Sequence, residues 1–146
     1  MTDQQTIKLK EYVSDMKSLK AVLEFPIGAI LTTDEDHYAV ADLLKKEKLE
    51  IIDGDGQHPD LALGELFKKV KKGAVAVLSV GLGIPPKIFN QLHALVHGQV
   101  NVELADTKKP VQMSDWPESA KVILIMPPNY YDNLPQQGLI TSVCRL

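Results

Sequence analysis

The chain has 146 residues, enough for one domain with a substantial core; 45% are hydrophobic and 24% charged, with a net charge of −3. That mild acidity gives no electrostatic reason to expect nucleic acid or an anionic membrane as partner. No apolar stretch approaches the roughly 20 residues that span a bilayer.

A lone cysteine, Cys144, excludes an internal disulfide and a cysteine-built metal cluster, and fits a reducing compartment. The N-terminal residues lack the basic-then-apolar layout of a signal peptide. A cytoplasmic globular protein is expected.

Leu9, Tyr12, Val13, Met16, Leu19 and Leu23 recur at three- and four-residue steps, which predicts an amphipathic helix over 5–24, ended by Pro26. Residues 28–33 read as a short buried strand. Asp34 can then cap a helix to about Lys48, with Tyr38, Val40, Ala41, Leu43 and Leu44 on its inner face. Residues 49–52 form a second strand, closed by Asp-Gly-Asp-Gly. A third helix is predicted from about Pro59 to Lys72, with Leu61, Leu63, Leu66, Phe67 and Val70 inside.

Residues 75–80 form a third strand without alternation, as expected where helices cover both faces. Pro85 suits the first turn of a helix that runs to about His97, where Gly98 stops it. Residues 98–113 alternate loosely and carry turn residues, so a β-hairpin or irregular insertion is expected. Lys121 to Met126 is a fourth buried strand, and Leu139 to Val143 a fifth.

Strands alternating with helices imply an α/β three-layer sandwich: a mostly parallel five-stranded sheet, helices on both faces and a hairpin insertion. The whole chain, 1–146, reads as one domain, with the helix in residues 1–25 packed on it. In such folds ligands sit beyond the carboxyl ends of the strands. Those ends are Thr32–Asp36, Asp53–His58, Ser79–Gly83 and Met126–Tyr131.

Each end offers a candidate. "TTDEDHY" has acidic residues where a phosphate-cradling loop needs glycines and a lysine, and a helix N-terminus favours such residues through its dipole. "IIDGDGQHP" brings Asp53, Asp55 and His58 close enough to suggest a divalent cation, though Asp-Gly pairs equally build tight turns. Asp34, Asp36, Asp53 and Asp55 together are the candidate metal set, which converges if the first two strands are neighbours.

"VGLGIPP" places Gly81 and Gly83 at a strand-to-helix junction, where backbone N–H groups can take an anion, although Pro85 and Pro86 remove donors. His93 and His97 lie four apart on one helix face, without the glutamate that a zinc protease motif places beside the first. Ser79 is not set in a nucleophile elbow. Cys144 beside Arg145 is either an activated thiol or a small buried strand residue.

From about Leu19 onward the order of segments resembles the core of an AAA+ ATPase domain. "PIGAILTT…AVADLL" resembles that family's first strand and following helix. "GAVAVLSVGLGIPPKIFNQLHALVHGQV" is similar to its Walker B strand, turn, helix and hairpin. "SAKVILIMPPN" resembles the sensor-1 strand, with Asn129 near the polar sensor. "LPQQGLITSVCRL" resembles the segment that carries the arginine finger, with Arg145 as the candidate.

Where the family has a glycine-rich loop ending in Lys-Ser/Thr, this chain has "TTDEDHY"; where it has Asp-Glu, this chain has Ser79-Val80. Those family residues neutralise phosphate, support Mg²⁺ and orient the attacking water. The resemblance therefore implies a P-loop NTPase-like fold with a degenerate P-loop, a pseudo-ATPase that binds no cofactor. It would work as an assembly or regulatory subunit through a protein partner or a homo-oligomer.

The contact candidates are Lys108–Trp116, with Trp116 its aromatic, the exposed pair Tyr130 and Tyr131, and Arg145. A second resemblance is to a response-regulator receiver domain, whose acidic cluster Asp34, Glu35 and Asp36 would match. It implies a receiver-like or metal-dependent small-ligand-binding domain built on the acidic strand-end loops.

Overall fold

A computed structural model describes residues 2–18, 27–54, 59–80, 102–103, 110–111, 120–134, 138 and 140–146. In chain order the elements are α1 (Asp3–Ser18), β1 (Ile27–Leu31), α2 (Asp34–Lys46), β2 (Ile51–Asp53), α3 (Pro59–Lys71) and β3 (Val75–Ser79). They continue with β4 (Val102–Glu103), β5 (Pro110–Val111), β6 (Lys121–Met126), α4 (Pro128–Asp132) and β7 (Ser142–Arg145).

The fold is α/β. Five strands form one sheet in the order β2-β3-β6-β1-β7, and every neighbouring pair is parallel. The strands β4 and β5 pair antiparallel, so the insertion contains a hairpin. The fifth strand of the sheet starts at Ser142, not Leu139, because Ser142 is the residue that pairs with Gly28 of β1.

Strand alternation sends side chains to two apolar layers. Ile30, Val77, Ile123, Ile125 and Cys144 meet Leu9, Val13 and Met16 of α1 and Val40, Leu43 and Leu44 of α2. Leu31, Leu78, Val122 and Leu124 meet Leu63, Leu66, Phe67 and Val70 of α3 on the other face. Both β1 and β6 are buried along their whole length, which explains their unbroken apolar runs. Among the described residues, no helix is long and apolar enough to cross a membrane.

The helix ends follow local chemistry. Thr2 and Gln5 form a reciprocal capping box on α1, with the Thr2 amide donating to Gln5 Oε1 (3.0 Å) and the Gln5 amide to Thr2 Oγ1 (3.3 Å). The cap of α2 is Thr33 rather than Asp34; the extended Thr33 backbone starts the helix without a side-chain cap bond.

Two expected core positions face outward instead: Tyr38 is 79% exposed and Leu61 48%. Each precedes a buried residue, Val40 or Leu63, by two positions. That places it about 200° around a helix of 3.6 residues per turn, away from the apolar stripe. The predicted helix over 85–97 and the tail of the first helix, 19–24, lie outside the described residues.

Helices α2 and α3 end in the same motif with different residues at its left-handed position. In α2 the Lys48 amide donates to the Lys45 carbonyl and the Leu49 amide to Leu44; in α3 Gly73 donates to Val70 and Ala74 to Lys69. Gly73 takes φ 79° freely, whereas Lys48 takes φ 62° against its own Cβ. Replacing Lys48 by glycine is therefore expected to stabilise the chain by about 1 kcal/mol. A rise in the urea midpoint at unchanged slope is the readout; an unchanged midpoint would show that no strain is relieved.

Candidate functional site

The register aligns the carboxyl ends of the central strands: Asp53 pairs with Ser79, Ser79 with Ile125, and Leu31 with Met126. Backbone bonds continue the alignment past the strands. The Gly54 amide donates to the Ser79 carbonyl (2.9 Å), the Val80 amide to Ile125 (2.8 Å) and the Thr32 amide to Met126 (3.1 Å).

Thr32, Asp53, Ser79 and Ile125 share the parity of residues that face α1 and α2. Beyond Ile30 and Val77 the apolar layer therefore gives way to hydroxyls and a carboxylate. Helix α2 crosses above, and His37, Tyr38, Ala41 and Lys45 form the opposite wall of a cavity of about 510 Å³. Val80, Met126 and Pro127 complete its lip.

Within this cleft Thr32 is buried and its hydroxyl donates to the Thr33 carbonyl (3.3 Å). The His37 and Tyr38 rings meet edge to face with centroids 6.0 Å apart, at the exposed rim. The cleft thus combines an apolar floor, several hydroxyls, one ammonium, one carboxylate and an imidazole. It lies where open parallel sheets place their ligands.

Of the four candidate metal ligands, Asp53 is exposed and lines the cleft, whereas Asp36 is half-buried in the first turn of α2. Asp34 starts α2, its side chain outside the description; Asp55 lies outside the described residues altogether. The strands that lead to the two acidic loops are not neighbours, since β3 and β6 stand between β1 and β2. Among the described residues no group of three or more His, Cys, Asp or Glu side chains gathers to hold a metal. Gly81, Gly83, His93, His97 and Trp116 with its loop also fall outside the described residues.

The tyrosine pair and Arg145 do come together. A proline at the start of α4 begins a short turn of helix that lays Tyr130 and Tyr131, with Leu134, half-buried against the α3-side core. They are thus less exposed than expected, because this apolar layer continues past the strand ends. The Arg145 guanidinium lies 5.4 Å from the Tyr131 ring centre and 3.6 Å from the Asp132 carboxylate. Lys8 of α1 donates to the Arg145 carbonyl at 2.6 Å.

Cys144 is the buried strand residue of the two alternatives. Burial pushes its thiol up, and the nearby Lys8 charge opposes this only in part. Lys121, at the amino end of β6 and so at the far end of the sheet, is almost wholly buried, and desolvation lowers its ammonium pKa.

Sequence reasoning missed Lys45, whose place on the cleft wall follows from four-residue steps beyond His37 and Ala41. It also missed the outward turn of Tyr38. No protein-family model matches the chain, and no curated protein matches it.

Proposed function

We propose that this chain is a non-catalytic, AAA+-like subunit that serves the assembly or regulation of a larger cytoplasmic complex, bound to a protein partner or to copies of itself. The observation that carries this reading is the strand order, with β3 and β6 between β1 and β2. A receiver-like sheet has its first two strands side by side. The AAA+-like order separates them.

Chemistry supports the non-catalytic part. Ser79 ends β3 where the resemblance expects an Asp-Glu pair; its neutral hydroxyl does not take over the metal support and water orientation of two carboxylates. The exit of β1 carries Glu35 and Asp36, which repel a triphosphate that no glycine-rich loop is there to cradle. The half-buried Tyr131 with the Arg145 guanidinium stacked near it has the character of an interface anchor, and Tyr130 beside it extends that candidate surface. Cys144 as the lone cysteine suits a reducing compartment.

Titration calorimetry with Mg²⁺, Ca²⁺ and ATP, alongside an ATP-turnover assay on the purified chain, tests the reading. No heat and no turnover is the expected outcome. Robust turnover would overthrow it.

A further inference from the structure

Beyond an interaction role, and independently of it, we infer that the cleft at the strand ends binds a small uncharged ligand built on a hydroxylated ring. Its volume, about 510 Å³, falls within the range of about 300–1,000 Å³ typical of small-molecule sites. Tyr38, about 200° around α2 from the buried Val40, is 79% exposed at the cleft rim beside His37. An exposed aromatic at the mouth of a cavity lined by both apolar and polar groups is a stacking platform for a ring.

The polar lining suits alcohols better than ions. Lys45 contributes an ammonium and Asp53 a carboxylate, so that the pair sums to no net charge, while Ser79 adds a hydroxyl that both donates and accepts. A carboxylate has about four acceptor sites, so Asp53 can take neighbouring ligand hydroxyls in addition to the contact it already makes. Ile51 and Ile125, on the α2-facing side of the sheet, offer the apolar floor on which the carbon face of a ring rests. Phosphate is disfavoured by Asp53 itself and by the acidic first turn of α2 at the same end of the sheet.

A hydroxylated ring reaches a protein as a free sugar or as the ribose of a nucleoside, and binding titrations separate the two. The full chain is titrated with D-ribose, D-glucose, adenosine and ATP, followed by amide chemical shifts and calorimetry. Saturable binding of ribose, glucose or adenosine is expected, with a Kd on the order of 1 mM. Sugar binding identifies the free sugar; adenosine binding with both sugars silent identifies the nucleoside. Asp53→Asn and Tyr38→Ala should each weaken that binding about tenfold, with circular dichroism melting curves retained. Silence from all three compounds to about 10 mM, ATP bound as tightly as adenosine, or affinity unchanged in Tyr38→Ala would each overturn the inference.

Discussion

Gly28→Ala is expected to destabilise the protein by about 2–3 kcal/mol, at the upper end of the cost of adding one methyl to a packed interior. A Cβ at this central-strand position would meet the Tyr12 hydroxyl oxygen, with Met16 Cε at 3.0 Å and Ser142 Oγ at 3.1 Å. The phenol comes from α1 and is hydrogen-bonded to Ser142 Oγ at 3.1 Å, so the ring cannot retreat without losing that bond.

Gly28 thus serves as a notch for Tyr12; what matters is its missing side chain. Because the clash is with the hydroxyl, it should shrink once that oxygen is removed. In a double-mutant cycle, Gly28→Ala in a Tyr12→Phe background should cost at least about 1 kcal/mol less than in the native chain. Equal costs in the two backgrounds would show that the notch accommodates something else.

The second large effect is alkaline. Burial, partly offset by the hydrogen bond to Ser142, raises the Tyr12 phenol from 10.0 to about 12. In the unfolded chain the phenol gives up its proton near its ordinary pKa, while in the folded chain it holds on about two units longer. Between those values the folded state binds more protons, so stability falls as pH rises. The contribution is whole below about pH 10 and gone above about pH 12; across the window it amounts to about 2–3 kcal/mol.

Urea unfolding at about pH 8 and about pH 11 checks this. The native chain should lose about 1.4 kcal/mol more than Tyr12→Phe over that interval, since half the window has then been crossed. Parallel losses in the two chains would place the phenol in solvent. At neutral pH the same variant should be weaker by about 1 kcal/mol, the worth of one hydrogen bond.

Both predictions concern one juncture, where α1 meets β1 and β7, and it illustrates how differently two kinds of information enter the fold. Leu9, Val13 and Met16 announce a buried helix face through spacing alone, and α1 buries all three. The unbroken apolar stretch over 122–126 announces a central strand, and β6 covers those residues. Periodicity reports such facts because burial of one face is a local property, repeated at every turn. It could not report that Tyr12 would need Gly28 empty, since the two residues are distant in the chain and only the pairing of β1 with β7 brings Ser142 beside them.

The candidate site divides in the same way. That a cleft would open at the strand ends was legible, because alternating helices and strands imply parallel pairing and right-handed crossovers. Which ends would meet was not. Asp53 shares a cleft with His37 and Lys45 because α2 spans the sheet from β1 towards the edge strand β2, with β3 and β6 between them. Tyr38 lies outside because it stands about 200° around α2 from Val40, off the stripe through Val40, Leu43 and Leu44 that faces the sheet.

What the amino-acid order determined unaided was the five sheet strands, helices α1 to α3 and the α/β class, since backbone propensity and local burial period are written residue by residue. Helix α4 and the outward turn of Tyr38 and Leu61 were not legible there. Strand order, the Tyr12–Gly28 fit, the Tyr131–Arg145 stack and the cleft were decided only in three dimensions. Each depends on contacts between residues far apart in the chain, and no local pattern encodes which of several compatible pairings buries the most surface.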